Sequence, residues 1–425
     1  MKRLLVAAIL VLAGCGTGPA AGQSAHEYRL VVEKLGGNGV SIVTTSAPTP
    51  VSLPGGFLTA DGSQLFSLGG QVFDQASGSL GTTTLNAYDA RSGALARQIQ
   101  VTGAWSWLDG GTSPSGRWLV LTQAAHGSAA PASPRNFLVV DTTSSKQYPV
   151  SLRGNFSFDA LSNDGQSLYL IETLVGSAYQ VRLYHVFSRT LEPGAVVIKG
   201  PELEAMNGYK ITAVAEPDGH MLYSLYGRSD GRPPFVHALD LDHQFAFCID
   251  LPELAAQRLN YPDAASSGWA LSLDANRHLL YASSSRGQVV AIDTNQFKAV
   301  HNAALAAPDS TGWLPSFMVD AAAKEFEGPP AASAVDPKGR WLYVAWESGY
   351  LAVDTATLRP AALRDRGDHL SSLEVSPDGR HLFAVGGTDL VPNVVSDLDP
   401  QTGARLATIT GLAAPWRILR LEPAA

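Results

Sequence analysis

A turn signal that recurs seven times constrains the fold of this chain more than any other feature of its sequence. Each copy places Gly or Asn in a tight turn between two short apolar runs. The seven turns are Asp61-Gly62, Pro114-Ser115-Gly116, Asp164-Gly165, Pro217-Asp218-Gly219, Asp274-Ala275-Asn276, Pro337-Lys338-Gly339 and Pro377-Asp378-Gly379. Because Gly and Asn accept positive φ angles, each copy predicts a β-hairpin.

A second signal follows each hairpin. Another short strand ends in Asp and a small polar turn, except in the third copy, where residues 183–188 lack the acid. The six strand-end acids are Asp89, Asp141, Asp240, Asp293, Asp354 and Asp399. We expect these carboxylates to accept hydrogen bonds from the amides of their own turns. A further β-run leads into the next copy, so each unit holds four strands, and the sequence contains no convincing long amphipathic helix.

Seven four-stranded units spaced at roughly 40–60 residues are typical of a β-propeller. A tandem of β-sandwiches is the alternative, but each unit is too small to bury a core of its own. The ends of the chain leave the blade number open. Residues 415–421 look like an opening strand without its hairpin partner, and residues 28–32 and 40–44 look like closing strands. We predict an all-β, seven-bladed propeller whose terminal strands join a blade; eight blades with a mixed terminal blade is the alternative.

The repeat resembles the bacterial YVTN/WD40-like propeller repeat. The match is carried by Ser376-Pro377-Asp378-Gly379 with the strand that follows it to Phe383, and by residues 353–357, Val-Asp-Thr-Ala-Thr. The resemblance extends over about residues 50–412. It implies the propeller fold but no particular activity, because this fold carries enzymes and scaffolds alike.

The N-terminus predicts a leader followed by a lipid anchor. Lys2 and Arg3 precede ten apolar residues, 4–13, which as a helix would span only about 15 Å, half of a bilayer's hydrocarbon core. Leu12-Ala13-Gly14-Cys15 resembles the bacterial lipobox, in which the cysteine thiol receives a diacylglycerol and the leader is cut before it.

This resemblance implies three segments. Residues 1–14 are the lipoprotein signal peptide, residues 15–26 a lipidated flexible tether, and residues 27–425 the propeller. We therefore expect a bacterial cell-envelope protein that is extracytoplasmic and held to a membrane through Cys15. The other cysteine, Cys248, reads as a small core residue, with a reactive thiol as the alternative.

Composition excludes several classes of function. The net charge is −8, and a general nucleic-acid binder needs a basic surface. Two cysteines exclude a disulfide scaffold and a four-cysteine metal site. The partner is then a protein, a glycan or a small ligand, and the acidic surface slightly disfavours anionic ones.

Binding is expected on the face of the disc that carries the variable connections. The two hairpin turns of each unit are short, whereas the other connections vary in length, and loops carry function when a rigid scaffold positions them. Four tryptophans lie just before, or at the start of, predicted innermost strands, where those strands begin at that face. They are Trp107, Trp269, Trp313 and Trp416. We predict that they contact a ligand, with core packing between blades as the alternative.

The search for catalytic and metal motifs is mostly negative. There is no Gly-x-Ser-x-Gly, P-loop, His-Glu-x-x-His or Cys-x-x-Cys. The densest ligand-like cluster is His237, Asp240, Asp242 and His243, but strand alternation separates the two histidines. We predict no metal and no cofactor.

Two enzyme families of this fold are the nearest alternatives, but the sequence resembles neither in full. Residues 87–93 and 398–403 resemble half of the quinoprotein repeat A-x-D-x-x-T-G-x-x-x-W, but Arg97 and Ala407 occupy the neighbourhood of its docking tryptophan. Propeller lactonases use polar channel residues, and the sequence singles out no such set. The favoured function is therefore a non-enzymatic binding or scaffold module; a lactonase or a quinoprotein-like dehydrogenase is the alternative.

Overall fold

The computed structural model describes residues 27–46, 49–69, 81–123, 134–174, 178–196, 206–228, 232–252, 268–284, 287–305, 332–346, 349–364, 367–387 and 392–424. Within these ranges, 33 strands form eight antiparallel sheets. In each sheet the strand order follows the chain, so that hydrogen-bonded neighbours are joined by hairpins. The exceptions are the sheet that combines the two ends of the chain and one five-stranded sheet, in which residues 206–207 pair off the main path.

The sheets are the blades of a β-propeller, and we number them in chain order, with the mixed sheet last. Blade 1 contains β4 (Phe57–Leu58), β5 (Gln64–Gly69), β6 (Thr82–Asp89) and β7 (Leu95–Thr102). Blade 2 contains β8 (Trp105–Thr112), β9 (Trp118–Gln123), β10 (Arg135–Asp141) and β11 (Gln147–Leu152). Blade 3 contains β12 (Phe156–Leu161), β13 (Ser167–Thr173), β14 (Ala178–His185) and β15 (Thr190–Ala195), with β16 (Met206–Asn207) beside β14. Blade 4 contains β17 (Tyr209–Ala215), β18 (Met221–Gly227), β19 (Phe235–Asp240) and β20 (Phe245–Asp250).

The remaining blades follow the same plan. Blade 5 contains β21 (Trp269–Asp274), β22 (Leu279–Ser284), β23 (Gln288–Asp293) and β24 (Lys298–Ala304). Blade 6 contains β25 (Ser333–Val335), β26 (Trp341–Trp346), β27 (Gly349–Asp354) and β28 (Arg359–Arg364). Blade 7 contains β29 (His369–Val375), β30 (Leu382–Gly387), β31 (Val394–Leu398) and β32 (Arg405–Ile409). Blade 8 combines β33 (Pro415–Pro423) with β1 (Tyr28–Lys34), β2 (Gly39–Thr44) and β3 (Val51–Pro54).

The blade number corrects the favoured prediction of seven and confirms the alternative of eight. Each of the seven repeated units already holds four strands, so the terminal strands find no empty position in any of them. They form a sheet of their own instead, in which β33 pairs with β1 from Tyr28↔Pro423 to Lys34↔Pro415. This pairing joins the two ends of the chain, and it hides two strand edges that would otherwise be exposed.

A buried arginine ties the closing blade to its neighbour. Arg29 is 7% exposed and forms an ion pair with Glu422 on β33. The same guanidinium donates to the backbone oxygens of Ala90 and Gly62 in blade 1, each at 3.1 Å. These bonds compensate the loss of water around the buried guanidinium. Removal of Arg29 or of Glu422 would therefore leave a buried charge without its partner.

The hydrophobic core is divided among the blade junctions. Eight clusters of buried side chains lie between successive sheets, one at each junction. The strand that follows each hairpin turn supplies a large aromatic side chain to many of these clusters. Such fully enclosed rings are Phe66, Tyr169, Tyr223, Tyr281, Tyr343 and Phe383. No single sheet could bury these rings alone, so the ring of blades is the cooperative unit.

The two turn signals have the predicted structures except in the fifth hairpin, where the positive φ, 54°, lies at His278 and not at Asn276. The hairpin glycines take φ between 65° at Gly339 and 75° at Gly165 and Gly219, the region that side chains with a Cβ disfavour. Asp89 accepts bonds from the amides of Arg91 and Ser92, at 3.0 and 2.7 Å. The same pair of bonds recurs at the other strand-end acids, namely Asp141, Asp240, Asp293, Asp354 and Asp399. These acids therefore close their own turns, as predicted.

The two faces of the disc differ strongly. We call the face with the hairpin turns and the Asp turns the lower face; each of its connections has at most six residues, as in 376–381 and 399–404. The connections of the opposite, upper face range from 103–104 to 305–332. Strand β1 begins at the lower face and β33 ends there, so both ends of the described chain leave from it. The predicted concentration of insertions on one face is confirmed.

Candidate functional site

The structure separates the four predicted tryptophans. Trp107 and Trp416 are half-buried, at the upper ends of the innermost strands β8 and β33. The Trp107 ring meets the Phe57 ring of blade 1 edge-on, with centroids 4.7 Å apart. Trp269 is 4% exposed and belongs to the core between blades 4 and 5, and Trp313 lies outside the described residues. Trp107 and Trp416 are therefore the two that remain near a surface.

A cavity lies at the junction of blades 8 and 1. Its volume is about 300 Å³. The lining residues are Glu33, Gly56, Phe57, Leu58, Thr59, Ala60, Arg417, Leu419 and Arg420. Phe57 also contacts Trp107, and Arg417 follows Trp416 in sequence. We call this space the junction cavity.

The local backbone explains why the junction cavity exists. Strand β4 has only two residues, so it covers little of the neighbouring strand. In the pairing of β1 with β33, Val31 faces Arg420 and Val32 faces Ile418, which leaves Leu419 as the extra residue of a β-bulge. Strict alternation would turn Leu419 and Arg420 to opposite sides, but a bulge re-aims side chains, and both line the cavity.

The charged groups of the junction cavity form two ion pairs. Arg417 Nε donates to Glu33 Oε2 at 3.0 Å, and Arg417 Nη2 lies 2.9 Å from the same oxygen. Arg420 Nε lies 2.6 Å from Glu422 Oε2, and its Nη1 donates to the backbone oxygen of Ala60. Burial alone would raise the pKa of Glu422, but hydrogen bonds from Arg420 and Arg29 hold it below its ordinary value. The Glu422 carboxylate is therefore ionised and matched by arginine.

A second chemically distinctive group is Glu374 on β29, the innermost strand of blade 7. Its carboxyl is half-buried, and no hydrogen bond or ion pair to it is found within the described part of the chain. Burial raises its pKa from 4.5 to about 7. A carboxyl that titrates near neutrality can accept or donate a proton at physiological pH. No sequence motif marks Glu374, which lies in the mixed polar and apolar strand His369–Val375.

A buried polar cluster between blades 3 and 4 was also missed by motif searches. Tyr226 donates to Asp159 Oδ1 at 3.3 Å, and Lys210 Nζ lies 3.7 Å from the same oxygen. The other oxygen of Asp159, the Tyr179 hydroxyl and His237 Nε2 have no hydrogen-bond partner among the described residues. Burial lowers the pKa of His237 and raises that of Tyr226 well above its ordinary value.

This cluster links two blades rather than forming an open site. Asp159 and His237 are 2% and 1% exposed, and the unpartnered atoms make no contact with solvent. Only Lys210 reaches the surface, with 32% of its side chain exposed. The visible sequence signal was Asp159 itself, since it interrupts the apolar strand from Phe156 to Leu161.

The histidine and aspartate cluster near residue 240 does not form a metal site. His237 is buried, whereas 77% of the His243 side chain is exposed, so the two histidines do not share a site. Asp240 is occupied by its own turn and by His243 Nδ1 at 3.0 Å. Across the described ranges, no group of three or more His, Cys, Asp or Glu residues is placed to hold a metal ion. Cys248 is half-buried and packs against the core between blades 3 and 4.

A search of the described residues for a helix long and apolar enough to cross a membrane found none.

Comparisons with known proteins identify the fold only. No protein-family model and no curated protein matches this sequence. Apo AztD from Citrobacter koseri has a similar structure, with a TM-score of 0.52 and 9% identity over 93% of this chain and 97% of that one. The dihydro-heme d1 dehydrogenase NirN, in complex with DHE, is similar with a TM-score of 0.51 and 13% identity, over 92% of this chain and 74% of that one. Likeness at such identities shows a common propeller fold and leaves function to the site.

Proposed function

We propose that this protein is a lipid-anchored, extracytoplasmic β-propeller that binds a protein or a small ligand through its upper face. The observation that carries the proposal is the opposite placement of chain ends and variable connections. The described chain starts and ends at the lower face, whereas the strands joined by the long connections 251–268 and 305–332 meet those connections at their upper-face ends. Loops held by a rigid scaffold are the usual place for recognition.

The anchor and the binding face then point in opposite directions. A lipid on Cys15 would be followed by only twelve residues, 15–26, which reach about 40 Å when fully extended. Strand β1 begins at Tyr28 on the lower face, so the lower face is turned toward the membrane. The upper face, with the half-buried Trp107 and Trp416, is turned toward partners in the envelope.

The test removes the longest upper-face connection without touching a strand. Since β24 extends to Ala304, residues 306–331 are replaced by a short linker matched to the connection 365–368 between blades 6 and 7. Affinity capture of the lipidated protein from its native envelope is expected to recover at least tenfold less of its main partner with this variant. Partner recovery is quantified by mass spectrometry against the unmodified chain.

Two further variants make the result interpretable. Arg91→Ala changes an exposed residue of a lower-face turn and is expected to leave partner recovery unchanged. Cys15→Ser removes the predicted acceptor thiol and is expected to move the protein out of the membrane fraction. Undiminished recovery with the 306–331 replacement would reject the role given to the upper face. Retention of the Cys15→Ser protein in membranes would reject the anchor.

An enzyme acting in the central channel is the second candidate function, and Glu374 is the observation that favours it. A partnerless carboxyl on an innermost strand, with a pKa of about 7, suits proton transfer in lactone hydrolysis. The purified protein and Glu374→Gln are compared on a panel of sugar and aromatic lactones by proton release at pH 8. This function predicts wild-type turnover that falls about 100-fold or more in the variant. Absence of turnover, or equal rates, would count against it.

A further inference from the structure

We propose that the junction cavity binds a small organic anion in which a carboxylate is joined to a compact apolar group. The proposal goes beyond recognition at the upper face and does not depend on it. The site lies between the innermost strands β33 and β4, where the ring is closed by the two ends of the chain. Three independent features of its lining support this class of ligand.

The first feature is an excess of hydrogen-bond donors with positive charge. A guanidinium carries five N–H donors and no acceptor. Arg417 directs Nε and Nη2 toward a single oxygen of Glu33. Arg420 directs Nε toward Glu422 and Nη1 toward the backbone oxygen of Ala60. Within the described residues, Arg417 Nη1 and Arg420 Nη2 donate to no other group. These donors can take a carboxylate in the planar geometry that arginine favours.

The second feature is the local balance of charge. The chain as a whole has a net charge of −8, yet the charged residues that line the cavity are two arginines, Arg417 and Arg420, and one acid, Glu33. An acidic protein that concentrates arginine at one enclosed place focuses an attractive field for an anion there. The general acidity of the surface, which disfavours anionic partners elsewhere, does not apply at this junction.

The third feature is an apolar wall beside the charged one. Phe57, Leu58 and Leu419 line the same space as the two arginines. The volume of about 300 Å³ is at the small end of ligand sites, so it suits a compact molecule. A fully hydrated inorganic ion would leave this apolar wall unused, whereas an aromatic or branched aliphatic carboxylate covers both walls.

The Arg417–Glu33 pair is also suited to a site that exchanges partners. The Arg417 side chain is 56% exposed, and ion pairs with an exposed partner add little to the stability of a fold. An entering carboxylate can therefore share or replace the Glu33 contact at little cost to the fold. Arg420 is more enclosed, with 30% of its side chain exposed, and it supplies the fixed part of the site.

The experiment compares three probes of similar shape on the whole protein. Benzoate, benzamide and benzylamine are titrated separately at low ionic strength, and binding is followed by isothermal titration calorimetry and saturation-transfer NMR. We expect saturable binding of benzoate in the millimolar range, and at least tenfold weaker binding of the neutral and cationic probes. Added salt is expected to weaken benzoate binding, since the attraction is screened.

The variants locate the binding. Arg417→Gln and Leu419→Asp are each expected to weaken benzoate binding at least tenfold. Arg380→Gln is the matched control, because its side chain is 59% exposed but lies on the hairpin turn of blade 7; it is expected to leave binding unchanged. If Leu419→Asp is unstable, Arg417→Gln decides alone. The proposal is overturned by the absence of saturable benzoate binding, by equal binding of benzamide or benzylamine, or by undiminished binding in Arg417→Gln.

Discussion

A chain that ends at Leu412 is expected to lose cooperative folding, because it lacks β33. That strand supplies the innermost position of blade 8 and makes paired contacts with β1 from Tyr28 to Lys34. Its removal deletes Ile418 from the core between blades 7 and 8, and it also deletes Glu422, the partner of the buried Arg29. Each lost backbone hydrogen bond costs about 1 kcal/mol and a stranded buried charge about 3–5 kcal/mol. The sum is comparable to a typical folding free energy of about 5–15 kcal/mol.

The measurement is thermal and urea unfolding followed by circular dichroism and tryptophan fluorescence. The matched control ends at Pro423 and loses, of the described contacts, the hydrogen bond from the Ala424 amide to the Glu27 oxygen, 2.7 Å long. The control is expected to unfold within a few degrees of the full chain. A sharp unfolding transition for the chain that ends at Leu412 would show that seven blades and an incomplete eighth can hold the ring without closure.

The second large effect is a pH-dependent gain of stability in Glu374→Gln. In the unfolded chain this carboxyl ionises near 4.5, whereas in the folded protein burial raises its pKa to about 7. Below pH 4.5 both states are protonated and the group has no effect. As the pH rises from 4.5 to 7, the unfolded state loses its proton first, so the free energy of unfolding falls. Above pH 7 the loss is complete, at about 2–3 kcal/mol.

Glutamine has the shape of glutamate without the titration, so the variant is expected to match the natural chain at pH 4 and to exceed its unfolding free energy by about 2 kcal/mol at pH 8. Urea unfolding at several pH values measures the difference. The control is Glu27→Gln, an exposed residue ahead of β1 whose carboxyl accepts a hydrogen bond from the Ser46 hydroxyl, and it is expected to show no such trend. A constant difference between Glu374→Gln and the natural chain across this range would mean that the carboxyl is already ionised at pH 5.

Much of the architecture could be predicted because its determinants are local. A hairpin glycine such as Gly165 sets a positive φ from within its own turn, and Asp89 closes a turn with amides two and three residues away. Such signals do not depend on where the rest of the chain lies. Their repetition predicted four-stranded units and short lower-face turns, and the structure confirms both.

The site was predicted much less well. The sequence pattern selected Trp107, which contacts the cavity residue Phe57, and Trp416, which precedes the cavity residue Arg417. The same pattern also selected Trp269, which is enclosed in the core. Position near the start of an innermost strand does not distinguish these cases, since exposure depends on the neighbouring blade. The arginines of the cavity carried no motif at all, because Arg420 reaches it only through the bulge at Leu419.

The amino-acid sequence by itself determined the kind of blade, the turns within it and the face that carries long connections, since each depends on residues a few positions apart. Tertiary structure alone decided that there are eight blades. It also created the junction cavity, and it paired Arg29 with Glu422 across 393 positions of the chain. The physical reason is that no local sequence pattern encodes the pairing of two strands that lie so far apart in the chain. Their pairing, their bulge and the space beside them exist only once the ring has closed.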